Sequence, residues 1–94
     1  MIKSFADAET ERVFRGLRSR KFPTQLWARG VRKLLLLNAA ENLAELRVPP
    51  GNRLEKLKGR RAGQHSIRVN DQWRICFVWR DGNAYEVQIT DYHS

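Results

Sequence analysis

The side chains that together could cleave RNA are those of Glu55, Lys58, Arg74, Asp91, Tyr92 and His93. Cleavage through the 2′-hydroxyl needs a base that takes the hydroxyl proton and an acid that protonates the leaving 5′-oxygen. It also needs cations that balance the added charge on phosphorus. No metal is required, because the 2′-oxygen is itself the nucleophile. The sequence therefore contains the parts that a metal-independent cleavage of RNA requires.

Each of these side chains suits one part of the reaction. An imidazole exchanges a proton near neutral pH, so His93 could act as the acid or the base. Asp91 or Glu55 could supply a carboxylate base, while Lys58 and Arg74 would stabilise the phosphorane. The alternative is that the C-terminal residues form a solvated tail, because an isolated histidine next to the chain end is usually inert.

The positive charge of the chain is concentrated in one region. Eighteen Lys and Arg stand against ten Asp and Glu, for a net charge of +8, and residues 53–80 account for +6 of it. A basic surface rich in arginine favours a polyanion such as nucleic acid, since guanidinium groups bind phosphate oxygens in a bidentate way. The alternative is a merely soluble surface. The predicted RNA-binding residues are Arg53, Lys56, Arg60, Arg61 and Arg68.

Length and composition limit the class of protein. A chain of 94 residues suffices for one domain with a modest core, which we expect over residues 1–94. Cys76 is the only cysteine, which excludes an intrachain disulfide, and we expect it to be a small buried apolar side chain. No phosphate-binding loop, dinucleotide motif or zinc-like spacing occurs. Without a long apolar stretch or a signal-peptide segment, we expect a cytoplasmic protein and no membrane partner.

The first half of the chain predicts a short strand and two helices. The letters MIKSF alternate between apolar and polar, as a strand does. ADAETERVFRGLRSR predicts a helix with Asp7 as its N-cap, and Pro23 follows as a break. QLWARGVRKLLLLNAAENLAEL predicts a longer helix that Thr24 caps. Its apolar residues at helical spacing, expected in the core, are Trp27, Val31, Leu34, Leu35 and Leu43.

The second half predicts an antiparallel sheet. The strand candidates are RLEKLKG, QHSIRV, QWRICFVWR and AYEVQITDY, and turn residues separate the last three. GRRAG could form a phosphate loop but is better interpreted as a link between two strands. The order predicts an α+β fold, β-α-α-β-β-β, in which a two-helix hairpin packs on one face of the sheet.

Alternation of side chains predicts which residues share a face of the sheet. A three-residue loop over residues 81–83 brings the apolar residues of the last two strands onto one face. A two-residue loop would pair apolar with polar residues throughout, so we expect the longer loop. The pairs that follow are Trp79–Tyr85, Phe77–Val87 and Ile75–Ile89.

The opposite face is predicted to carry basic side chains. A loop over residues 70–72 places Arg68 directly opposite Arg74, with Thr90 beside Arg74. Like charges in such a pair repel each other. The two guanidinium groups therefore either splay into water or hold an anion between them.

The alternation of side chains does not determine which of the C-terminal residues points towards the arginine face. Tyr92 has the parity of Arg74, whereas Asp91 and His93 have core-face parity but follow the last apolar residue, where we expect the strand to leave the sheet. All three could gather at one edge of the arginine face. His65 also has core-face parity, and we expect it to be a packed histidine.

The stretch PPGNRLEKLKGRRAGQHSIRVNDQWRICF, together with the terminal DYH, resembles the HigB group of the RelE/ParE superfamily of bacterial toxins. The most specific pieces are L-K-G, then G-x-x-S-I-R-V-N-x-x-W-R-I-x-F, and finally D-Y-H. The resemblance extends from MIKSF through both helices to the chain end. It implies a RelE-like fold and a toxin of a type II toxin–antitoxin system.

The resemblance also implies an activity and partners. Such toxins are ribosome-dependent endoribonucleases that cut mRNA in the A site of the 70S ribosome, with rRNA contacts and no cofactor, and so arrest translation and growth. Each is neutralised by a HigA-type antitoxin with a helix-turn-helix, and operator DNA is bound only through that complex. The basic catalytic residues of the family correspond to Lys58 and Arg74 in this sequence. The three C-terminal catalytic residues of the family correspond to Asp91, Tyr92 and His93. Glu55 stands where some relatives have a catalytic histidine.

Two other functions fit the same scaffold. One is a gyrase poison of the ParE type, since a fold does not fix a function. The terminal DYH argues against it, because such a poison needs no acid and base. The other is a nonenzymatic module whose arginine face only binds phosphates or an antitoxin.

Overall fold

The structure of the protein, a computed structural model, describes residues 1–91. Within these residues the strands form one antiparallel sheet in the order β1-β2-β3-β4, with the helices on one face. The predicted α+β architecture is confirmed. Of the helices described, none has the length and apolar character to cross a bilayer. The bounds are α1 Ala8–Phe14, α2 Thr24–Ala39, β1 Glu55–Lys56, β2 His65–Arg68, β3 Trp73–Arg80 and β4 Asn83–Asp91.

The first helix begins where the sequence predicts. Asp7 is the N-cap of α1, and its carboxylate accepts a hydrogen bond of 2.7 Å from the backbone N–H of Thr10. The acidic residues Glu9 and Glu11 lie in the first turn, where they complement the helix dipole.

The second helix differs from its prediction at both ends. Pro23 occupies the N-cap position and Thr24 is the first helical residue, so the predicted Thr24 cap is wrong. The helix ends at Ala39, because Asn42 and Glu45 form a capping box that starts a separate 3₁₀ helix, Leu43–Arg47. Local side-chain hydrogen bonds thus divide a segment whose apolar spacing alone predicts one helix.

The core lies between the helices and the sheet. Leu26, Leu34 and Leu37 of α2 are fully buried against a cluster that includes Ile75 and Ile89 of the sheet. Leu35, predicted in the core, is 52% exposed, since four consecutive leucines cannot all face one side of a helix.

Glycine allows the two helices and the sheet to approach closely. A Cβ atom at Gly30 would lie 3.3 Å from Val13 of α1 and 3.8 Å from Ile89 of β4. The absence of a side chain at this point of α2 therefore sets the distance between both helices and β4.

The β3–β4 turn is shorter than predicted. Arg80 pairs with Asn83, so the loop has two residues, Asp81 and Gly82, which both have positive φ as in a type I′ turn. Glu86 also has positive φ and lies in a β-bulge that shifts the register by one residue. The predicted three-residue loop and the Trp79–Tyr85 pair are wrong, because Trp79 faces Ala84. Beyond the bulge, Ile75 faces Ile89 as predicted.

The opening residues line the outer edge of β4. Ile2 and Phe5 form isolated parallel bridges with Ala84 and Val87, so the predicted strand MIKSF is reduced to two separate bridges. The bulge at Glu86 interrupts the edge between them, and its backbone N–H donates to Ser4 Oγ at 2.9 Å. An irregular edge cannot support an uninterrupted ladder of hydrogen bonds.

The register of β2 and β3 is the predicted one. Ile67 faces Ile75, and Arg68 faces Arg74. On the other side of β3, Arg74 faces Thr90. Since Ile67 and Ile75 lie in the core, Arg68 and Arg74 extend from the face that the helices leave uncovered.

Thr10 connects α1 to β4 through a buried hydrogen bond, in which the backbone N–H of Ile89 donates to Thr10 Oγ1 at 3.0 Å. Thr10→Val keeps the shape of the side chain but removes the acceptor. We expect it to lower the free energy of unfolding by about 1–3 kcal/mol, because the N–H stays buried without a partner. Urea denaturation of the parent, Thr10→Val and the hydroxyl-retaining control Thr10→Ser measures this. A Thr10→Val protein as stable as the parent would contradict it.

Candidate active site

The guanidinium of Arg74 lies buried on the uncovered face of the sheet. Its Nε donates to Ser66 Oγ at 2.8 Å, and its Nη2 donates to the main-chain oxygens of Arg53 at 2.7 Å and Ser66 at 3.3 Å. Only 6% of Arg74 is exposed. The predicted alternative in which this guanidinium splays into water is therefore wrong for Arg74. Protein oxygens surround the charge, because residue 53 folds back over it.

Glu55 lies beside this buried cation. Its Oε2 is 3.9 Å from Arg74 Nη2, and 44% of its side chain is exposed. Glu55 pairs with Ser66, which pairs with Cys76, so all three belong to the uncovered face. Two of the predicted catalytic residues are thus brought together, with the carboxylate open to solvent.

Arg61 reaches across the same face from the segment that links β1 and β2. Its guanidinium donates to Gln64 Oε1 at 3.0 Å and to Gln88 Oε1 at 3.1 Å. Residues 59–61 form a 3₁₀ helix between the two strands, so the interpretation of GRRAG as a link is confirmed.

Cys76 is buried between these arginines. Burial raises the pKa of its thiol, and the charges of Arg61 and Arg74 oppose that rise. The thiol is therefore held neutral and suits packing rather than nucleophilic attack. This confirms the expectation of a small buried side chain.

The remaining basic residues differ in the face of the sheet from which they extend and in their exposure to solvent. Arg68 keeps its predicted register, but it forms an ion pair with Asp71 and donates from Nε to the main-chain oxygen of Asn70 at 3.1 Å. Lys56 pairs with His65 in the register, so it extends from the side of β1 opposite to Glu55 and faces away from Arg74. The exposed basic side chains of the segment around β1 are those of Arg53, Lys56, Lys58 and Arg60.

The C-terminal trio is only partly described. Asp91 is still within β4, contrary to the expectation that the strand leaves the sheet, and it pairs with Trp73. Its Oδ2 accepts a hydrogen bond of 2.9 Å from Gln72 Nε2. Asp91 therefore extends on the side opposite to Arg74. Tyr92 and His93 lie outside the described residues.

His65 is a packed histidine, as predicted. It pairs with Phe77, and the two rings stack with centroids 6.2 Å apart. Its Nδ1 is buried and has no hydrogen-bond partner within residues 1–91. Burial, and then the charge of Lys56, lower the pKa of His65.

Sequence reasoning missed three groups that hold the arginines in place: the Ser66 hydroxyl, the Gln88 amide and the main-chain oxygen of Arg53. The first two could have been found, because they share the face of Arg74 by alternation. The third depends on the path of an irregular segment, which carries no periodic signal.

The sequence and the fold of the chain can be compared with those of known proteins. A model of the HigB-like toxin family, described as the RelE-like toxin of the type II toxin–antitoxin system HigB, matches residues 3–93. The chain belongs to the HigB-like toxin family. The predicted resemblance to the HigB group is confirmed, and so is the prediction of a toxin of a type II toxin–antitoxin system.

Individual relatives of this HigB-like toxin agree with that assignment. It is 42% identical to Toxin HigB-1 of Vibrio cholerae over 85 residues, which cover 89% of this chain and 90% of the relative. It is 35% identical to Endoribonuclease HigB of Proteus vulgaris, with 99% and 100% of the two chains covered. A solved structure of a YoeB–YefM complex from Staphylococcus aureus has the same fold, with a TM-score of 0.61 at 14% identity over 100% of this chain and 99% of that one.

The bond between Ser66 and Arg74 gives a prediction about the toxin's stability. Ser66→Ala should lower the free energy of unfolding by about 1–3 kcal/mol, because a charged donor stays buried without its acceptor. In an Arg74→Met background the same change should have a much smaller effect. A double-mutant cycle by urea denaturation measures the coupling, and additivity within about 0.5 kcal/mol would contradict it.

The partly buried His65 gives a prediction about pH. Because its pKa in the folded toxin is lowered, the unfolded chain takes up this proton first as the pH falls. The stabilisation from neutral His65 is therefore complete above about pH 6.5, the value for an unperturbed histidine, and is lost as the pH falls through the folded-state pKa. His65→Phe should flatten the fall of unfolding free energy across this window. His93 is present in both proteins, so equal slopes would contradict a role for His65.

Proposed function

We propose that this HigB-like toxin is a ribosome-dependent endoribonuclease that cuts translated mRNA in the A site, within the cytoplasm. Membership of the family and the relative named Endoribonuclease HigB support cleavage of RNA. The observation that carries the proposal is the buried Arg74 cation beside the exposed Glu55 carboxylate, on the face of the sheet opposite to α1 and α2.

The proposed reaction is transesterification at phosphorus. The 2′-oxygen forms a bond to phosphorus as a base removes its proton, and the bond from phosphorus to the 5′-oxygen then breaks as an acid protonates that oxygen. Arg74 would stabilise the added negative charge, and its three protein acceptors hold it in place before the substrate arrives. Lys58, exposed on the segment after β1, would supply a second cation.

Proton transfer is assigned to the carboxylates and the C-terminal residues. Glu55 would act as the base, in the position where some family members have a histidine, because its carboxylate is exposed and next to the cation. His93 would act as the acid. Tyr92 would orient the substrate. Asp91, which extends on the side opposite to Arg74, would instead fix the end of β4 through the hydrogen bond it accepts from Gln72.

As a toxin of a type II system, the protein has an antitoxin as its partner. We propose that this antitoxin is of the HigA type with a helix-turn-helix, and that the toxin reaches operator DNA only through it. The exposed basic residues Arg53, Lys56 and Arg60, with the partly buried Arg61 and Arg68, would contact phosphates of mRNA or rRNA.

Cleavage on programmed 70S ribosomes tests the proposal. Arg74→Ala should lower the single-turnover rate by about 10²-fold or more, since one preorganised donor of this kind contributes that much. His93→Ala and Glu55→Ala should each lower it by about 10²-fold, the contribution of general acid or base catalysis. Primer extension over a time course maps the cut sites and measures the rate at which cut mRNA forms.

The matched control is Arg15→Ala, which removes an exposed guanidinium of α1 that pairs with Glu11. It should cut as the parent does. Circular dichroism establishes whether each variant is folded. If Arg74→Ala does not fold, His93→Ala and Glu55→Ala still test the site. Folded variants that all cut at the parental rate would contradict the site, whereas DNA breakage with intact mRNA would favour a gyrase poison.

A further inference from the structure

The segment that joins β1 to β2, residues 57–64, places a cation of the proposed reaction on irregular backbone. We name this segment the β1–β2 link. Lys58 is the N-cap residue of its 3₁₀ helix, and the side chain of Lys58 is exposed. Gly59 begins this helix and Gly63 follows it, both with positive φ, so the backbone on either side has the freedom of glycine. A group on such a segment is held in a productive position only when other contacts fix the segment.

The side chain of Arg61 ties the β1–β2 link to a distant strand. Its Nη1 donates to Gln64 Oε1 at 3.0 Å, within the link, and its Nη2 donates to Gln88 Oε1 at 3.1 Å. Gln88 belongs to β4, which lies at the opposite edge of the sheet from β1. The guanidinium therefore joins the link to a strand that does not adjoin it in the sequence.

The backbone of Arg61 passes this restraint on to Lys58. The backbone N–H of Arg61 donates to the main-chain oxygen of Lys58 at 3.3 Å. The N–H of Gln64 donates to the main-chain oxygen of Arg61 at 3.0 Å, and the N–H of Leu57 donates to that of Gln64 at 2.9 Å, which closes the link. A series of hydrogen bonds thus leads from Gln88 in the sheet to the backbone of Lys58.

The register of the sheet places Gln88 on the same face as the candidate active site. Glu55 pairs with Ser66, Ser66 with Cys76, and Cys76 with Gln88, so these residues form one row across the uncovered face. Arg74 is bound to Ser66 of this row and lies beside Glu55 at its end. The bond between Arg61 and Gln88 is therefore made over the face on which the phosphate would lie.

Both acceptors of the Arg61 guanidinium are neutral amides. A carboxylate would bind a guanidinium more strongly, but it would cancel a positive charge on a face that must attract phosphate. An amide oxygen supplies an acceptor without a charge. Arg61 also has more N–H donors than these two bonds use, so it can hold the link and still contact a phosphate.

We propose that Gln88 is a positioning residue, which holds the β1–β2 link through Arg61 and so keeps Lys58 in place at the candidate active site. The inference rests on the proposed function in taking Lys58 as a cation that stabilises the phosphorane. Gln88 itself does not need to touch the substrate.

Cleavage on programmed 70S ribosomes tests the catalytic part of this proposal. Gln88→Leu removes the acceptor and should lower the single-turnover rate at saturation about tenfold with unchanged affinity for ribosomes, because a misplacement of about 1 Å can cost up to about 10²-fold. In a Lys58→Met background the same change should lower the rate no further, since Gln88 acts through Lys58. Gln88→Glu keeps an acceptor and should retain most of the rate. The matched control Gln25→Leu, which removes an exposed amide of α2, should cut as the parent does.

Amide hydrogen exchange of the free toxin tests the tether without RNA. The N–H groups of Arg61 and Gln64 are hydrogen-bonded within the link. In Gln88→Leu they should exchange about tenfold faster, because the link opens more readily, while the N–H of Ile75 in β3 should exchange as in the parent. Gln25→Leu should leave all three rates unchanged.

Other outcomes would overturn the proposal. These are a folded Gln88→Leu toxin with the parental rate of cleavage or of exchange in the link, and one that loses affinity for ribosomes at an unchanged saturating rate. A further loss of the same size in the Lys58→Met background would show that Gln88 does not act through Lys58. If Gln88→Leu does not fold, Gln88→Ala is measured in its place against the same outcomes. If the parent cuts no mRNA, the proposed function fails, and exchange in the link still decides whether Gln88 holds it.

Discussion

The burial of one charged group constrains the rest of the structure. A guanidinium withdrawn from water must be given acceptors, since an unpaired buried charge is strongly destabilising. Arg74 of β3 obtains them from Ser66 of β2 and from the main chain at residue 53, just before β1. The edge of the sheet and an irregular segment must therefore come together over this residue. The short β1, only two residues long, is held by the same arrangement that defines the site.

The two faces of the sheet are consequently held by different forces. Apolar contacts with α1 and α2 stabilise one face, whereas hydrogen bonds around Arg74 and Arg61 hold the other. The bulge at Glu86 matters to both, because it restores the register after a turn of two residues. Without that extra residue, Thr90 would not face Arg74, and Ile89 would leave the core.

The sequence predicts which residues pair within regular strands better than it predicts loops, bulges and irregular segments. The pairing of Arg68 with Arg74 follows from alternation and is confirmed. The β3–β4 loop is wrongly predicted because alternation assumes an unbroken strand, and the bulge at Glu86 breaks it. The burial of Arg74 is also missed, since it depends on a main-chain oxygen of an irregular segment. The catalytic assignments come from side-chain chemistry together with the resemblance to the family, and they stay predictions.

The choice of side chain at the centre of the site follows from the same burial. An ammonium group in such a place would lose its proton readily, whereas a guanidinium stays charged and offers several donors in one plane. Two of the nitrogens of Arg74 can thus satisfy three protein oxygens while the full positive charge remains next to Glu55. A related fold at 14% identity shows that the architecture tolerates nearly complete change of sequence. The architecture alone therefore does not determine the chemistry, which the side chains placed on it must supply.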